Sequence, residues 1–282
     1  MKYPEIIKIR FRPTPEMWRY RGGGIDTNIK LEWEVDRDTG IHLIKYYANN
    51  WALVTMAPDA EYPLVSAVMP TCEGREKMAR YAVEQFQRQT WPNKELIIVN
   101  EGVEWITEGE DNIHEVRVRP KRYENGGLHN IGDGIANGDY IIRWDDDDIH
   151  HPDRMKIQAE GAIIAASPCS IFQRRIHYSL STDSAFIRTV PCLAQALYKN
   201  EGREYIDEAN GSDLIFFDIY YRNRAVALDN WPGLYVRIWH GRNIWSEQHV
   251  MGRLTGITGE WDVGDCEGYL RQAIREYREA VL

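Results

Sequence analysis

The sequence lacks the features that mark membrane-spanning, secreted and metal-finger proteins. No apolar run approaches the roughly 20 residues that a helix needs to span a bilayer. The amino-terminal stretch MKYPEIIKIRFRPTPEMW lacks the long apolar core of a signal peptide. The four cysteines are far apart and none has CxxC spacing, which argues against a zinc site or a disulfide scaffold. We therefore expect a soluble, cytoplasmic protein with reduced thiols.

An overall positive charge is also missing. The formal net charge is −9, so no global basic field would attract nucleic acid or anionic lipid. Repeats and low-complexity segments are absent, and a hydrophobic content of 43% is typical of a globular protein rather than a disordered one. The length allows one large α/β domain, or one domain with an appendage.

From Pro63 onward, short apolar runs alternate with helix-like stretches. The runs LVSAVMP, ELIIVN, HEVRV and DYIIRW are interpreted as buried strands, and the apolar spacing in CEGREKMARYAVEQFQRQT and GGLHNIGDGIANG indicates helices. This order predicts an α/β fold with a mixed, mostly parallel sheet flanked by helices. Ligands in such sheets bind beyond the carboxyl ends of the strands.

The two ends of the chain have other patterns. Prolines and a triple glycine break the first part, and alternation in KLEWEV and IHLIKYYANNWALVTM around DRDTG predicts a β-hairpin. GYLRQAIREYREAVL has the apolar spacing of a helix that packs on the body or on a partner, and a homodimer is one option. We assign a β-rich extension to 1–60, the α/β domain to 61–245 and a helical segment to 246–282.

Four consecutive aspartates, Asp145 to Asp148, follow the strand DYIIRW. Like charges side by side repel each other, so the run needs a positive partner. Carboxylates at a strand end suit hard cations such as Mg²⁺, Mn²⁺ or Ca²⁺, and magnesium-type ions take one or two of them before binding substrate phosphates. A solvated acidic loop and a helix N-terminus are the alternatives. An EF-hand is not indicated, because the loop lacks the glycine and the distal glutamate.

Two blocks of the sequence resemble the family-2 glycosyltransferases. PLVSAVMPTCEGREKMARYAVEQFQRQTWPNKELIIVNEG has the family's Pro-Thr strand end, helix, Q-T-x-P turn and second strand with an acidic end. LHNIGDGIANGDYIIRWDDDDIHHPDRM resembles the Asn-x-Gly helix, the Gly-Asp-Tyr strand, the D-x-D motif and Pro-Asp-Arg. The resemblance is strong over about 63–160 and weak over about 205–245. It implies a Rossmann-like GT-A fold and the metal-dependent, inverting transfer of a sugar from a nucleotide-diphosphate donor, with a UDP-sugar expected, to a hydroxyl acceptor.

The resemblance also implies a role for each matching position of the donor site. Pro152 sets the register and places the D-x-D motif at Asp145-Asp146-Asp147. Asp145 would face the ribose or the metal, Asp147 would ligate Mn²⁺ or Mg²⁺ with His240, and Asp148 would cap the next helix. The residues expected to bind the nucleotide are Pro70, Thr71, Cys72, Arg75, Glu101, Asn130, Asp145 and Asp146, and those expected at the metal are Asp145, Asp147 and His240.

Two matched positions depart from the family pattern. Glu101, in VNEG, stands where the family usually has an aspartate that reads the base, so the base preference is open. His129 replaces the arginine that usually precedes Asn130, which removes or alters a diphosphate contact. Both departures are also expected of a non-catalytic nucleotide-sugar-binding protein, which we keep as an alternative function.

The weakly matching block EANGSDLIFFDIYYRN supplies the candidate base. In the family, an aspartate or glutamate before a helix takes the proton of the acceptor hydroxyl, and GSD places Asp213 in this role. One carboxylate at the acceptor and one cation at the leaving diphosphate are sufficient for the reaction. Asp207 and Glu208 are nearby alternatives, and an N-cap of the helix LIFFDIYY is the structural alternative for Asp213.

Histidine and tryptophan side chains near these blocks have two interpretations each. His240 is expected to complete the metal shell or to touch the diphosphate, and a structural role is the alternative. His150 and His151 follow the D-x-D motif directly and compete as ligands, although a surface loop is the simpler interpretation of both. Trp239 and Trp245 are candidates for stacking on the sugar or the acceptor, with core packing expected for at least one.

The segment RFRPTPEMWRYR interleaves basic and aromatic side chains. Nucleic-acid grooves combine charge and stacking in this way, so a modified base in viral DNA is an alternative acceptor. The negative net charge and the short patch favour instead a β-rich appendage whose arginines pair with the acidic domain. The arginines concerned are Arg10, Arg12, Arg19 and Arg21.

Overall fold

The computed structural model describes the α/β body and three short amino-terminal strands. The described residues are 6–10, 32–36, 55–56, 62–102, 104–108, 110–208, 211–228, 231–252 and 258–282. The amino-terminal strands form an antiparallel sheet in the order β2-β1-β3. They are β1 (Ile6–Arg10), β2 (Glu32–Asp36) and β3 (Thr55–Met56).

The predicted hairpin around DRDTG is only partly described. Its first arm is β2, which pairs with β1. Residues 37–54, with the turn and most of the second arm, lie outside the described residues, as do Arg12, Arg19 and Arg21. The hairpin, the boundaries of the extension and the DNA interpretation therefore stay predictions.

The predicted strands form the parallel half of a ten-stranded sheet, in the order β6-β5-β4-β7. They are β4 (Val65–Thr71), β5 (Lys94–Asn100), β6 (Ile113–Arg117) and β7 (Tyr140–Arg143). β4, β5 and β7 are buried along nearly their whole length, because helices cover both faces. The chain runs from β4 out to β6 and returns to β7 on the other side of β4. This reversal opens a crevice at the carboxyl ends of β4 and β7.

The other half of the sheet was not anticipated. Two long antiparallel strands continue the sheet from β7, first β10 and then β9. Beyond β9 come β12 and β8. β11 also pairs with β9, and β13 pairs with β10. These strands are β8 (Ile149–His150), β9 (Cys169–Ser179), β10 (Ser184–Lys199), β11 (Ala225–Leu228), β12 (Tyr235–Trp239) and β13 (Trp261–Asp262). The expected mixed, mostly parallel sheet flanked by helices is confirmed.

Helices pack on both faces of this sheet. The first and third helices bury Phe86 and Met155 against one face, and the second and fourth bury Leu128 and Phe216 against the other. The helices are α1 (Glu76–Gln87), α2 (Asn125–Ile135), α3 (Arg154–Ile164), α4 (Ser212–Tyr220), α5 (Glu247–Met251) and α6 (Glu267–Val281). The predicted helices before β5 and before β7 are thus α1 and α2.

The predicted carboxy-terminal helix is α6, and it packs on the body. Its buried face meets α1, where the rings of Tyr81 and Tyr277 lie edge to face with centroids 5.7 Å apart. The apolar side of this helix is therefore covered within one chain, and homodimer formation stays a prediction. None of the described helices is long and apolar enough to cross a membrane.

Candidate active site

A cavity of about 580 Å³ lies at the carboxyl ends of β4 and β7. Its volume is in the range of small-molecule sites. Most of the predicted donor-site residues and the candidate base therefore share one space, although they come from distant parts of the chain. The predicted residues that line it are Pro70, Thr71, Cys72, Arg75, Glu101, Asp145, Asp146, Asp147 and Asp213.

Arg75 neutralises the middle of the aspartate run. It stands at the start of α1, where its Nη2 lies 2.6 Å from Oδ1 of Asp146 and also contacts Oδ2 of Asp147. The hydroxyl of Thr71, at the end of β4, donates to the other oxygen of Asp146 at 2.6 Å. Burial lowers the pKa of Arg75, but Asp146 and Asp147 raise it further, so its pKa lies above the ordinary value. The guanidinium stays charged beside the aspartates.

Asp147 is the aspartate that faces His240. Its Oδ2 lies 2.9 Å from Nε2 of His240 and accepts from the amide of Asn243 at 3.4 Å. Burial raises the pKa of Asp147, but Arg75 and His240 outweigh that effect and leave the pKa below its usual range. Asp147 is therefore ionised, as a cation ligand must be. The hydroxyl of Tyr277 donates to the backbone oxygen of Asp147 at 3.1 Å.

Asp148 has a structural environment. It is 2% exposed, and its carboxylate accepts from the backbone N–H of Ile238 at 2.8 Å and from the hydroxyl of Tyr235. Burial raises the pKa of Asp148 well above its ordinary value. The expectation that it caps the next helix is wrong: the N-cap of α3 is Asp153. Asp148 instead ties the aspartate loop to β12.

Asp145 and Asp213 approach the same arginine. Nη2 of Arg143 lies 4.0 Å from Oδ1 of Asp145, and its Nη1 lies 4.0 Å from Oδ2 of Asp213. Arg143 is buried, and its Nε and Nη1 have no hydrogen-bond partner in the described part of the chain. A buried guanidinium of this kind is costly, so its two anionic neighbours are what stabilise it. Arg143 was not predicted as a site residue, although an arginine that ends an apolar strand was a usable signal.

Asp213 is on the first turn of α4 and is not its N-cap. The N-cap is Gly211, whose φ of +77° is in the left-handed region that glycine tolerates. One oxygen of Asp213 accepts from the backbone N–H of Leu214 at 2.9 Å, and its side chain is 30% exposed at the cavity. The capping alternative is therefore not supported. The alternative bases do not line the cavity: Asp207 holds the N–H groups of Glu124 and Gly127, each at 2.9 Å, at the start of α2.

Asn130 and His129 lie below the cavity rather than in its lining. The amide of Asn130 donates to the backbone oxygen of Tyr205 at 2.9 Å and accepts from its N–H at 2.7 Å. His129 is fully buried, and burial, together with the charge of Arg143, holds the pKa of His129 well below its usual value. Asn130 thus holds the segment before α4, and its predicted role in nucleotide binding stays a prediction.

Glu101 lies at the far end of the cavity, after β5. Its Oε1 accepts from the backbone N–H of Lys121 at 2.9 Å, and burial raises the pKa of Glu101. Lys121 and Tyr123 line the cavity beside it and were missed, because they belong to a loop without a motif. The expectation that Glu101 reads the base stays a prediction.

The remaining candidate histidine and tryptophan side chains differ in their burial and in what they contact. His150 is buried in β8, stacked on Trp144 with centroids 3.9 Å apart, so the surface-loop interpretation is wrong for it. Trp239 packs against the cluster of Phe186, Val250 and Met251. Trp245 is 37% exposed at the cavity and stacks on His249. Of the two tryptophans, Trp245 is the one available to a ligand.

The carboxylates fit a hard divalent cation if Arg75 withdraws. Asp145 and Asp147 both open on the cavity, and Nε2 of His240 is beside Asp147. No group of three or more histidine, cysteine, aspartate or glutamate side chains converges on one point among the described residues. A site of one or two carboxylates completed by substrate phosphates is typical of Mg²⁺-type ions.

Sheet, cavity and the position of the D-x-D motif define a GT-A-type α/β protein. The model of glycosyl transferase family 2 matches residues 66–226, which is more than half of the chain, so the chain belongs to this family. No curated protein sequence gave a significant match.

Solved structures of known proteins resemble this chain at low sequence identity. TarS 1-349 from S. aureus in complex with UDP-GlcNAc matches with a TM-score of 0.52 and 13% identity, over 64% of this chain and 59% of that one. The same TarS fragment with UDP gives 0.49 and 15%, over 62% and 60%. The mannosyltransferase PcManGT from Pyrobaculum calidifontis, with GDP-Man and Mn²⁺, gives 0.45 and 13%, over 73% and 67%. The chain thus spans about three fifths of the TarS fragment.

Proposed function

We propose that this protein transfers a sugar from a nucleotide-diphosphate sugar to a hydroxyl acceptor, with inversion and with Mn²⁺ or Mg²⁺. The observation that carries the proposal is the convergence of Asp145, Asp147 and Asp213 on one cavity at the carboxyl ends of the strands. A UDP-sugar is the first donor to test, because the family resemblance implies it and TarS, which shares the fold, was solved with UDP-GlcNAc. The acceptor, a cytoplasmic location and a homodimer are further parts of the hypothesis.

Each end of the cavity has its own chemical task. Asp213 takes the proton of the acceptor hydroxyl as the sugar carbon is attacked, and Arg143 holds it opposite Asp145. Thr71 and Arg75 orient Asp146 at the donor end. When bound, a divalent cation supplies charge that stabilises the departing diphosphate. Base and leaving-group site are therefore on either side of one guanidinium.

Nucleotide binding tests the donor half of the proposal. We would titrate the protein calorimetrically with UDP, GDP, CDP and TDP, each in Mn²⁺ and in EDTA. The expected result is Mn²⁺-dependent binding of one nucleotide, which also identifies the donor class for an acceptor screen. Absence of binding for all four would contradict the proposal and favour a non-catalytic role.

The substitution Asp213→Asn tests the catalytic half. Because general-base catalysis contributes about 10²–10⁴-fold, we expect sugar transfer to fall at least 100-fold while donor binding is unchanged. Asp218→Asn is the matched control, since Asp218 is exposed on the same helix and pairs with Arg222 at 3.6 Å. Full activity of the Asp213 variant would assign the base elsewhere.

A further inference from the structure

Arg75 occupies the position that a metal ion at Asp147 would need. Its Nη2 contacts Oδ2 of Asp147, which is the same oxygen that lies 2.9 Å from His240. The guanidinium also reaches Asp146 at 2.6 Å. A divalent cation bound at this oxygen would lie within a few ångströms of the guanidinium, and like charges at that separation repel each other strongly in a partly buried site.

The backbone of Arg75 is held in a turn, whereas its guanidinium group can move. Its backbone N–H donates to Cys72 at 3.2 Å in a turn that Gly74, with φ of +81°, makes possible. The guanidinium is held by ion pairs at its end, while its Nε has no hydrogen-bond partner in the described residues. A side chain with four rotatable bonds can change position here without changing the backbone.

We propose that Arg75 is an internal counterion that closes the cation site until a diphosphate draws it away. The inference rests on the proposed function. Arginine binds phosphate oxygens in bidentate fashion, and Arg75 lines the same cavity as the predicted nucleotide site. Transfer of the guanidinium to the diphosphate frees Oδ2 of Asp147 for the cation.

Cooperative binding is the measurable consequence. If the nucleotide removes Arg75 from Asp147, it strengthens cation binding, and by linkage the cation strengthens nucleotide binding by the same factor. The wild-type protein should therefore bind Mn²⁺ weakly alone and at least tenfold more tightly with saturating UDP. Without a nucleotide, the aspartates stay neutralised and the site remains closed to metal.

The test is a Mn²⁺ titration, followed by electron paramagnetic resonance of free Mn²⁺, with and without UDP. Arg75→Gln should bind Mn²⁺ alone at least tenfold more tightly than wild type, and the further gain from UDP should then be smaller than in wild type by a similar factor. Arg75→Lys, which keeps the charge, should stay within threefold of wild type. Arg80→Gln is the matched control, because Arg80 lies on the same helix and pairs with exposed Glu104.

Each result decides the inference separately from the proposed function. Equal Mn²⁺ affinity with and without UDP in wild type, or no gain in Arg75→Gln, overturns it. If Arg75→Gln fails to fold, Arg75→Ala replaces it in the Mn²⁺ titration without UDP, with the same tenfold gain expected. Lack of UDP binding in every protein would contradict the UDP donor, while the affinity of Arg75→Gln for Mn²⁺ alone would still show whether Arg75 blocks the cation.

Discussion

Asp147 and Asp148 are neighbours in the chain but have opposite environments. Asp147 opens on the cavity with a side chain 14% exposed, and its partners are the cationic or imidazole groups of Arg75 and His240. Asp148 is turned into the body, where Tyr235 and Ile238 donate to it. One of the two is therefore available for chemistry, and the other stabilises the fold.

Alanine substitutions should separate these two roles. Asp148→Ala removes the side-chain acceptor of the Ile238 N–H and one of the acceptors of the Tyr235 hydroxyl, so we expect a loss of about 1–3 kcal/mol in the free energy of unfolding. Asp147→Ala should cost clearly less stability but abolish the Mn²⁺ dependence of nucleotide binding. Urea denaturation and calorimetry measure the two effects. Equal stability losses in both variants would contradict this assignment.

Asp133 predicts a pH dependence of stability. Its carboxylate, 8% exposed, accepts from the hydroxyl of Tyr198 at 2.7 Å, and burial raises the pKa of Asp133 to about 7. The folded protein thus holds this proton more tightly than the unfolded chain, whose aspartates have a pKa of about 3.9. The stabilisation is complete below about pH 4 and is lost as the pH rises through 7.

The variant Asp133→Asn should remove this dependence. Asparagine keeps an acceptor for Tyr198 but cannot ionise, so the stability of the variant relative to wild type should rise between pH 5 and 8 and reach on the order of 4 kcal/mol above pH 8, because folding raises the pKa of Asp133 by roughly 3. Asp111→Asn, in an exposed turn, is the control and should show no such trend. A stability difference that does not change with pH would rule out the buried proton.

At the scale of elements, α2 packs unusually close to the sheet. A Cβ added at Gly132 would lie 2.3 Å from Cγ1 of Val68 on β4, whereas one at Gly134 would meet nothing within 4 Å. Glycine weakens a helix interior, so Gly132 is present for the close approach. This approach brings β4 and α2 together under the cavity.

Two alanine substitutions on α2 should change the free energy of unfolding in opposite directions. Gly132→Ala overfills the contact with Val68, and we expect a loss of about 1–3 kcal/mol. Gly134→Ala removes backbone freedom at an open position and should gain about 0.5–1 kcal/mol. Thermal unfolding of both variants measures the difference. Stabilisation by both would show that α2 can move away from β4.

At the scale of the whole molecule, the carboxy-terminal helix supports the site. α6 buries Leu270 and Ile274 against the body, and the hydroxyl of Tyr277 reaches the backbone oxygen of Asp147. The last element of the chain thus holds the loop that follows β7. The domain boundary at 245 stays a prediction, and a hydrogen bond joins the residues on its two sides.

The substitution Tyr277→Phe tests whether the hydrogen bond from α6 to the aspartate loop supports the site. Loss of one hydrogen bond is expected to cost about 1 kcal/mol, and release of the Asp147 backbone should weaken Mn²⁺-dependent nucleotide binding severalfold. Tyr269→Phe is the control on the same helix: Tyr269 packs on His151 and Trp231 and should leave nucleotide binding unchanged. Identical binding in the two variants would mean that α6 only adds stability.

The sequence by itself determined the order of α1, α2 and the strands β4 to β7, because each has a local period or a buried apolar run that does not depend on distant partners. It also determined the aspartate run and Asp213 as candidate site residues, since motifs are local. The region of β9 and β10 was not predicted, because long antiparallel strands with mixed burial have no clear local period.

Only the tertiary structure decided which aspartate does what. Arg75, at the start of α1, and Tyr235, on β12, approach the run from distant parts of the chain, and no local pattern encodes these contacts. The physical reason is that a carboxylate's role depends on burial and on the charges within a few ångströms, and both arise only when distant segments pack together. Asp147 is turned to the cavity and Asp148 to the core because the loop after β7 lies between α1, β12 and α6.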